Sequence, residues 1–291
     1  MSAPFDDQLP GIARFPDTEF IRQHPDTLLP SPANIRARNH GSTHPKADDV
    51  NRPPPVRVAE LGLLVKYGTQ VKRTEMDTQR FIYRQLRGSV NVPEVVAWTE
   101  DNGQGFIYMT YIDAPTLADR WNGLTESERQ SICRELHDIV QKWKVLEQDS
   151  EETYIGAVGK QPLNDILVKD RSDLHGPWVG DDPVQMFHEA CHIELAHELP
   201  VVFAHGDLVP CNILVSEGEN PTVTAIIDWA QGGWYPSYWE WCKAKWAYMP
   251  LSDMDRAAQE DWKENYLPLI INPLSETDVY HPWLYFTLSK V

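Results

Sequence analysis

The sequence lacks the features of several protein classes. Residues 1–10 have neither the basic start nor the apolar centre of a secretory signal, and no apolar run in the 291 residues approaches the length of a membrane span. The chain has only four cysteines, Cys133, Cys191, Cys211 and Cys242, without the paired spacing of a zinc site. We therefore expect a protein of a reducing compartment, the cytoplasm, with no membrane partner.

Basic residues are scarce. The chain has 26 Lys and Arg against 43 Asp and Glu, a net charge of −17, so a nucleic-acid backbone should be repelled and nucleic acid is not expected as a partner. Residues 119–200 hold 17 acidic and 8 basic residues. This surplus could attract a cationic small molecule, or it could coat solvated helical faces and keep the chain soluble. The sequence leaves both interpretations open, and it leaves the oligomeric state open as well.

Prolines are concentrated at the start of the chain, where ten of the 23 lie in residues 1–55. Together with Asn, Ser, Asp and Gly they predict an N-terminal segment, 1–55, that is extended, irregular or partly disordered and that could wrap the lobe that follows.

The next residues, 56–112, have the pattern of a small lobe of strands with one helix. A strand over 61–67 carries Lys66, and a helix over 74–86 has Glu75 in its first turn. Two more strands, 92–98 and 105–112, are joined through Asp101-Asn102-Gly103, which is typical of a hairpin turn.

From residue 113 to 291 the pattern becomes helical. Thr125 and Glu128 form a capping box, and the apolar residues that follow recur at helical spacing as far as Leu146. Further helices are predicted over 182–199, 239–249, 253–266 and 282–290. Most of the eleven tryptophans are interpreted as core residues, although some could stack on an aromatic or sugar ligand.

The most informative pattern is a loop followed by a hairpin. In this loop, His205-Gly206-Asp207 is followed by Asn212, which lies five residues after Asp207. Predicted strands over 213–216 and 223–227, separated by a turn, would bring Asp228 back beside Asn212. Transfer of a γ-phosphoryl group needs a carboxylate to accept the acceptor's proton and oxygen ligands to hold Mg²⁺. Asp207 would supply the first function, and Asn212 with Asp228 would bind the metal.

These residues resemble the catalytic core of the aminoglycoside phosphotransferase and choline kinase-like families, small-molecule relatives of the protein kinases. The resemblance covers roughly residues 52–250 and is closest to phosphotransferase-like proteins of filamentous fungi. It implies an α+β, two-lobed protein-kinase-like fold, with a small mixed β-sheet N-lobe and a mainly helical C-lobe. It also implies an ATP-dependent kinase that phosphorylates a hydroxyl group of a small molecule.

The same resemblance implies roles for further residues. Lys66, paired with Glu75, would contact the α- and β-phosphates of ATP, and the backbone from Met109 to Ile112, including Tyr111, would face adenine. His205 would brace the loop through its imidazole hydrogen bonds. Glu240 matches a recurring acidic position, where it could brace the loop, meet the acceptor or form an ordinary ion pair.

One expected part is missing, because no Gly-rich hairpin precedes Lys66; His40-Gly41-Ser42-Thr43 is the one cluster of small residues there. Such hairpins offer backbone N–H groups to phosphates, so the gap supports an alternative. The chain could be a pseudokinase-like binding protein, or a repurposed scaffold that performs nucleotide-free acid-base chemistry in an inter-lobe cleft. Cys211, inside the loop, is interpreted as a packing residue rather than a reactive thiol.

Overall fold

The computed structural model describes residues 11–148, 150–195 and 199–289. Within these ranges the chain forms two compact units. The first contains residues 11–80 and 93–112, and the second contains residues 81–92 and the described residues from 113 onward.

The first unit is built on a five-stranded sheet. Its strands are β1 (Ala13–Arg14), β2 (Val56–Val58), β3 (Leu63–Gly68), β4 (Val95–Asp101) and β5 (Gln104–Thr110). They lie in the order β1-β4-β5-β3-β2, and every neighbouring pair is antiparallel. The predicted hairpin turn is confirmed, because Asn102 and Gly103 connect β4 to β5 with φ values of 50° and 73°, the left-handed conformation of a tight hairpin.

The two faces of this sheet have separate cores. Along β3 the side chains of Leu63, Val65 and Tyr67 pack on one face, and Leu64 contributes to the cluster on the other, as alternation along a strand requires. Helix α3 (Arg73–Gln85) supplies Met76 to the second cluster. Lys66 has the same parity as Leu64, so its side chain is on the face that α3 covers.

The prediction of an irregular N-terminal segment is wrong at two helices, α1 (Glu19–Gln23) and α2 (Pro32–His40). The Ser31 hydroxyl caps α2 by accepting a hydrogen bond from the Asn34 N–H, and Pro32 occupies the first turn. Proline is tolerated there because an N–H at that position would have no partner within the helix. The expected wrapping is confirmed for the described part, since Ile21, Leu29 and Ile35 are buried against the first face of the sheet. Residues 1–10 lie outside the described residues.

The second unit is mainly helical and contains three two-stranded antiparallel pairs, β6–β7, β8–β11 and β9–β10. In chain order its elements are α4 (Leu117–Arg120), α5 (Glu126–Lys144), β6 (Tyr154–Ile155), β7 (Trp178–Val179), α6 (Pro183–Cys191), β8 (Val201–Ala204), β9 (Ile213–Val215), β10 (Val223–Ile226), β11 (Gly233–Pro236), α7 (Trp239–Trp246), α8 (Arg256–Asp261), α9 (Leu267–Ile270) and α10 (His281–Leu288). Among the described residues, no helix is both long and apolar enough to cross a bilayer.

Helix α5 confirms the sequence prediction most fully. The Thr125 hydroxyl accepts a hydrogen bond from the Glu128 N–H, and the Glu128 carboxylate accepts one from the Thr125 N–H. Its apolar stripe is buried, from Ile132 to Trp143. The predicted stripe continued to Leu146, but the helix ends at Lys144 and Leu146 is only partly buried.

The predicted helix over 182–199 is wrong beyond Cys191. His192 adopts a left-handed conformation, φ 54°, which ends the helical hydrogen-bond pattern; residues 196–198 lie outside the described residues. The helix predicted over 253–266 begins at Arg256, capped by Asp255, and its second half is a π-helical turn, Trp262–Tyr266. The last predicted helix ends at Leu288.

Tryptophan packing confirms the interpretation of these residues as core. Ten of the eleven indole side chains are buried, and Trp246 is the exception. In the second unit they contact one another edge to face, as Trp143 does with Trp229 and Trp121 with Trp262. Such aromatic contacts stabilise beyond the area that they bury, so core packing accounts for most of the tryptophans.

Candidate active site

The loop that carries Asp207 leaves strand β8 through a glycine. Ala204 pairs with Gly233 of β11, and the chain then turns at Gly206, whose φ is 74°. A Cβ atom at this position would lie 2.7 Å from the Gln231 carbonyl oxygen. Glycine is therefore required here both by the left-handed backbone and by the close approach of residue 231.

His205 is buried and uses both ring nitrogens. The Asp207 N–H donates to Nδ1 at 3.1 Å, and Nε2 lies 3.0 Å from the Ile227 carbonyl oxygen. Because Nδ1 accepts, the proton belongs on Nε2, which donates to Ile227. The neutral imidazole thus links the Asp207 loop to the residue directly before Asp228.

Glu240 binds the same loop from helix α7. Its carboxylate accepts hydrogen bonds from the N–H groups of His205, at 2.5 Å, and Gly206, at 3.1 Å. Burial raises the pKa of this carboxyl, while its two backbone N–H donors act to lower it. Of the three roles left open for Glu240, the structure places it on the backbone of the loop.

Asn212 joins the loop to the hairpin that follows. Its side-chain amide donates to the Asp207 carbonyl oxygen at 2.9 Å and to the Asp207 carboxylate at 3.2 Å. Its own carbonyl oxygen accepts from the Ile227 N–H at 2.9 Å. The predicted strands are confirmed as β9 and β10, which pair Ile213 with Ile226. Asp207, Asn212 and the start of the Asp228 turn are therefore connected directly.

Asp228 has a left-handed backbone, with φ 59° and ψ 62°. For a residue other than glycine this conformation costs on the order of 1 kcal/mol and is concentrated at functional sites. The next residue, Trp229, is buried, and its indole N–H donates to the Ile226 carbonyl oxygen at 3.0 Å. Trp229 thus anchors the turn that holds Asp228.

The residues predicted to bind a metal, Asp228 and Asn212, would offer one carboxylate and one amide oxygen. Among the described residues, no group of three or more His, Cys, Asp or Glu side chains is placed to hold a metal ion. Mg²⁺ does not need such a cage, because it is usually bound by one or two protein oxygens together with phosphates and water. The Asn212 amide nitrogen donates to the Asp207 carboxylate, so the side-chain oxygen of Asn212 points away from that carboxylate. One carboxylate and one amide oxygen would suit Mg²⁺ that is also bound to the phosphates of a ligand.

Cys211 packs within the second unit. Its sulfur lies 3.3 Å from the Met249 sulfur, and burial raises the pKa of the thiol to about 12. The thiolate, which is the reactive form, is therefore scarce at neutral pH. The interpretation of Cys211 as a packing residue agrees with both observations.

In the first unit, Lys66 of β3 and Glu75 of α3 form a buried ion pair. The Lys66 ammonium lies 2.5 Å from the Glu75 carboxylate, and the two side chains are 10% and 2% exposed. Strand β3 fixes the lysine by pairing it with Ile107 of β5. The carboxylate favours the charged form of the ammonium and so opposes the effect of burial.

The two other residues that the resemblance assigns to the nucleotide lie at the end of β5. The Met109 sulfur is 3.5 Å from the Gln79 amide. The Tyr111 N–H donates to the Gly62 carbonyl oxygen at 2.8 Å, and the Arg57 guanidinium lies over the Tyr111 ring. That N–H is already used within the sheet, so an adenine contact at Tyr111 would need a different backbone group.

The sequence expectation of a missing Gly-rich hairpin has a structural counterpart. Within the described part of the chain, strand β2 lies at an edge of the sheet and pairs with β3 alone. A short turn over Ala59–Leu61 and Gly62 connects the two strands. Among the residues described before β2, the one strand is β1, which lies at the opposite edge of the sheet. No hairpin precedes β3 there except β2–β3 itself.

Sequence reasoning missed a buried pair, Asp165 and Lys243, that supports the loop. The Lys243 ammonium lies 2.7 Å from the Asp165 carboxylate and donates to the Gln231 side chain at 2.6 Å. The Gln231 carbonyl oxygen is the atom that approaches Gly206. The partners are 78 residues apart, and no local spacing predicts their contact.

Comparison with known proteins identifies the family. A sequence model of the phosphotransferase enzyme family matches residues 64–269. The chain belongs to this family. The matched range includes Lys66, Glu75 and the whole Asp207 loop. The α+β class expected from the sequence is confirmed, with a small sheet in the first unit and mainly helices in the second. Curated proteins give no significant match.

Solved structures similar to the chain include aminoglycoside phosphotransferases. A thermostable mutant of APH(4)-Ia is 16% identical, with 80% of this chain and 78% of that one covered and a TM-score of 0.47. The same enzyme in ternary complex with AMP-PNP and hygromycin B is 16% identical, with 78% and 75% covered and a TM-score of 0.47. APH(3'')-Id from Streptomyces rimosus is 15% identical, with 83% and 94% covered and a TM-score of 0.47.

Proposed function

We propose that the protein is an ATP-dependent phosphotransferase that moves the γ-phosphoryl group to a hydroxyl of a small molecule. The observation that carries the proposal is the connection of Asp207, Asn212 and the Asp228 turn by direct hydrogen bonds. Asp207 would accept the proton of the acceptor hydroxyl as its oxygen attacks the γ-phosphorus. The Asn212 amide would hold the Asp207 carboxylate in place during that step.

The remaining residues would handle the nucleotide. Asp228 and the side-chain oxygen of Asn212 would bind Mg²⁺, which neutralises charge on the phosphates when it is bound. Lys66, fixed by Glu75, would bind the α- and β-phosphates. Met109 and the backbone beside Tyr111 would lie against adenine, and His205 and Glu240 would hold the loop without touching substrate.

We also infer that the closest relatives are phosphotransferase-like proteins of filamentous fungi, and that the protein works in a cytoplasmic, reducing environment. The second inference is supported by the four cysteines, all of which are free thiols.

A second function deserves a test because, among the strands that the structure describes, none pairs with the outer side of β2. Without a Gly-rich hairpin, fewer backbone N–H groups are available to phosphates. This observation favours a pseudokinase-like ligand-binding protein, or a scaffold with nucleotide-free acid-base chemistry. Product formation without any nucleotide would establish the second of these.

The proposal is tested by calorimetric titration of the purified protein with ATP, with and without Mg²⁺. We expect magnesium-dependent binding in the natural protein and its loss in Asp228→Ala, because the variant lacks the charged metal ligand. Asp181→Ala, which removes an exposed carboxylate elsewhere in the second unit, is the matched control and should bind as the natural protein does. No binding at millimolar MgATP would contradict the proposal.

A further inference from the structure

Lys263 is a buried cation without a polar partner. Its residue is 8% exposed, and its ammonium has no hydrogen bond or ion pair with any described residue. It lies in the π-helical turn Trp262–Tyr266, and burial, with a contribution from Arg256, lowers its pKa to about 8. A buried ammonium in this state needs a compensating group. π-Helical turns are also concentrated at functional sites.

A second cation lies on the same side of the helix. Arg256 precedes Lys263 by seven residues, or about two helical turns, so the two side chains share a face. Both contact the Tyr248 ring, with the Lys263 nitrogen 3.1 Å and the Arg256 guanidinium carbon 4.7 Å from its centroid. Glu260 and Glu264 act on the pKa of Lys263, but neither forms an ion pair with it. We call Tyr248, Arg256 and Lys263 the Tyr248 cluster.

The cluster adjoins the loop that carries Asp207. Tyr248 directly precedes Met249, whose sulfur contacts Cys211 within that loop. Buried Gln259 of α8 accepts a hydrogen bond from the Met249 N–H and donates to the Met249 carbonyl oxygen. The segment that carries Tyr248 is therefore held both to α8 and to the catalytic loop.

We propose that the Tyr248 cluster binds an anionic oxygen group, a carboxylate or a phosphate, on the acceptor whose hydroxyl meets Asp207. This inference rests on the proposed function, because only a phosphotransferase has an acceptor. Guanidinium and ammonium groups side by side are the usual partners of such anions. In a chain with a net charge of −17, two cations that share no carboxylate select for a negatively charged ligand. The acceptor is then a hydroxylated acid or phosphate rather than a polycation.

Tyr248 controls access to the cluster. Its side chain covers the Lys263 ammonium, but the residue is 58% exposed and its hydroxyl has no hydrogen bond with the described residues. Rotation of the ring toward solvent therefore breaks no buried polar contact. The anion replaces the ring face as the partner of the ammonium, and the exposed ring can then pack against the apolar part of the ligand.

The experiment titrates the full chain with sodium sulfate and with sodium acetate at constant ionic strength in chloride. We expect one of the two to bind, and at least a tenfold loss of affinity in Lys263→Met. The matched control is Lys245→Met, since Lys245 also contacts aromatic rings but is paired with Glu276. Tyr248→Ala should bind at least as well as the natural protein. Melting curves confirm that each variant is folded, which Met at position 263 favours because it keeps the apolar stem.

The result also identifies the source of the anion. A preference for sulfate indicates a phosphate group on the acceptor, and a preference for acetate indicates a carboxylate. Equal binding by the natural protein and Lys263→Met, or binding of neither anion, would overturn the inference.

The anion titration uses no nucleotide, so its outcome is separate from that of the proposed function. One outcome is that the protein does not bind MgATP but binds the anion, with an affinity that depends on Lys263 and is unchanged in Lys66→Met. This outcome would support the anion site and contradict the proposed kinase activity. MgATP binding without a Lys263-dependent anion site would refute this inference alone. With both present, turnover of hydroxylated acids or phosphates should show a KM at least tenfold higher in Lys263→Met, with a smaller change in kcat.

Discussion

Two buried lysine–carboxylate pairs, one in each unit, differ in what surrounds them. Lys66 and Glu75 are nine residues apart and are fixed by a strand and a helix. Lys243 and Asp165 are 78 residues apart, and the Asp165 carboxylate also accepts hydrogen bonds from the Trp239 indole and the Leu167 N–H.

The different surroundings indicate that the two ion pairs have different roles. Regular elements position the first pair, and under the proposed function its lysine binds the α- and β-phosphates of ATP. The second pair is surrounded by protein hydrogen-bond partners and connects through Gln231 to the backbone at Gly206. We therefore expect the first pair to determine ligand binding and the second to determine whether the loop around Asp207 is in place.

The largest effect is expected at Lys66. Lys66→Met should lower kcat/KM for ATP by about 10²–10³-fold, because a charged donor to the phosphates is lost. It should also lower the free energy of unfolding by about 3 kcal/mol, since Glu75 becomes a buried charge without its cation. Steady-state kinetics and urea denaturation measure the two effects.

The control for Lys66→Met is the double variant with Glu75→Gln. Neutralising Glu75 should restore most of the stability but none of the activity. Recovery of activity together with stability would mean that the first pair is only structural.

The next effect is expected at Lys243. Lys243→Met should lower the free energy of unfolding by about 3–5 kcal/mol, because Asp165 is left charged in a fully buried position. The double variant Asp165→Asn, Lys243→Met should regain part of that loss, as measured by denaturation at pH 7.

The affinity for MgATP should distinguish the variant of the second pair from that of the first. The folded fraction of Lys243→Met should retain MgATP affinity within about threefold, in contrast to Lys66→Met. An equal loss of affinity in both variants would remove the distinction.

The smallest effect concerns Lys263, a buried lysine without a carboxylate partner, which serves as a reference for both pairs. Its pKa is lowered to about 8 in the folded chain, so the unfolded chain holds this proton more tightly. The resulting destabilisation is complete below pH 8 and is relieved as the pH rises toward the ordinary lysine pKa. The free energy of unfolding should rise by about 1–3 kcal/mol as Lys263 loses its proton.

The difference in unfolding free energy between the natural protein and Lys263→Met isolates this term from the titration of cysteine and tyrosine. We expect that difference to move in favour of the natural protein between pH 8 and 10. A difference that is constant over this range would mean that the ammonium is already compensated.

Local patterns explain which parts could be predicted. The Asn102-Gly103 turn, the Thr125 capping box and the β9–β10 hairpin each depend on residues close together in the chain, and all three are confirmed. The pairing of Lys66 with Glu75 was expected from the family resemblance rather than from a local pattern, and the ion pair is present.

Contacts between distant segments explain the rest. Neither the Asp165–Lys243 pair nor the packing of Tyr248 on Lys263 has a signal within any short window, since each depends on how loops and helices are packed. The early end of α6 at Cys191 follows from a left-handed His192, which carries none of the glycine signal typical of helix ends. Helices α1 and α2 were missed because proline density outweighed the caps at Thr18 and Ser31.

The N-terminal cover of the sheet has a practical consequence for handling the protein. The family match begins at residue 64, yet Ile35 is completely buried, the Tyr108 hydroxyl donates to the Pro30 carbonyl oxygen, and the Asn39 amide donates to that of Pro54. A chain shortened to the matched range would expose the apolar face formed by Val65, Tyr67 and Phe106 to water. Such a fragment would be prone to aggregate, so the segment before the recognisable family sequence belongs to the folding unit.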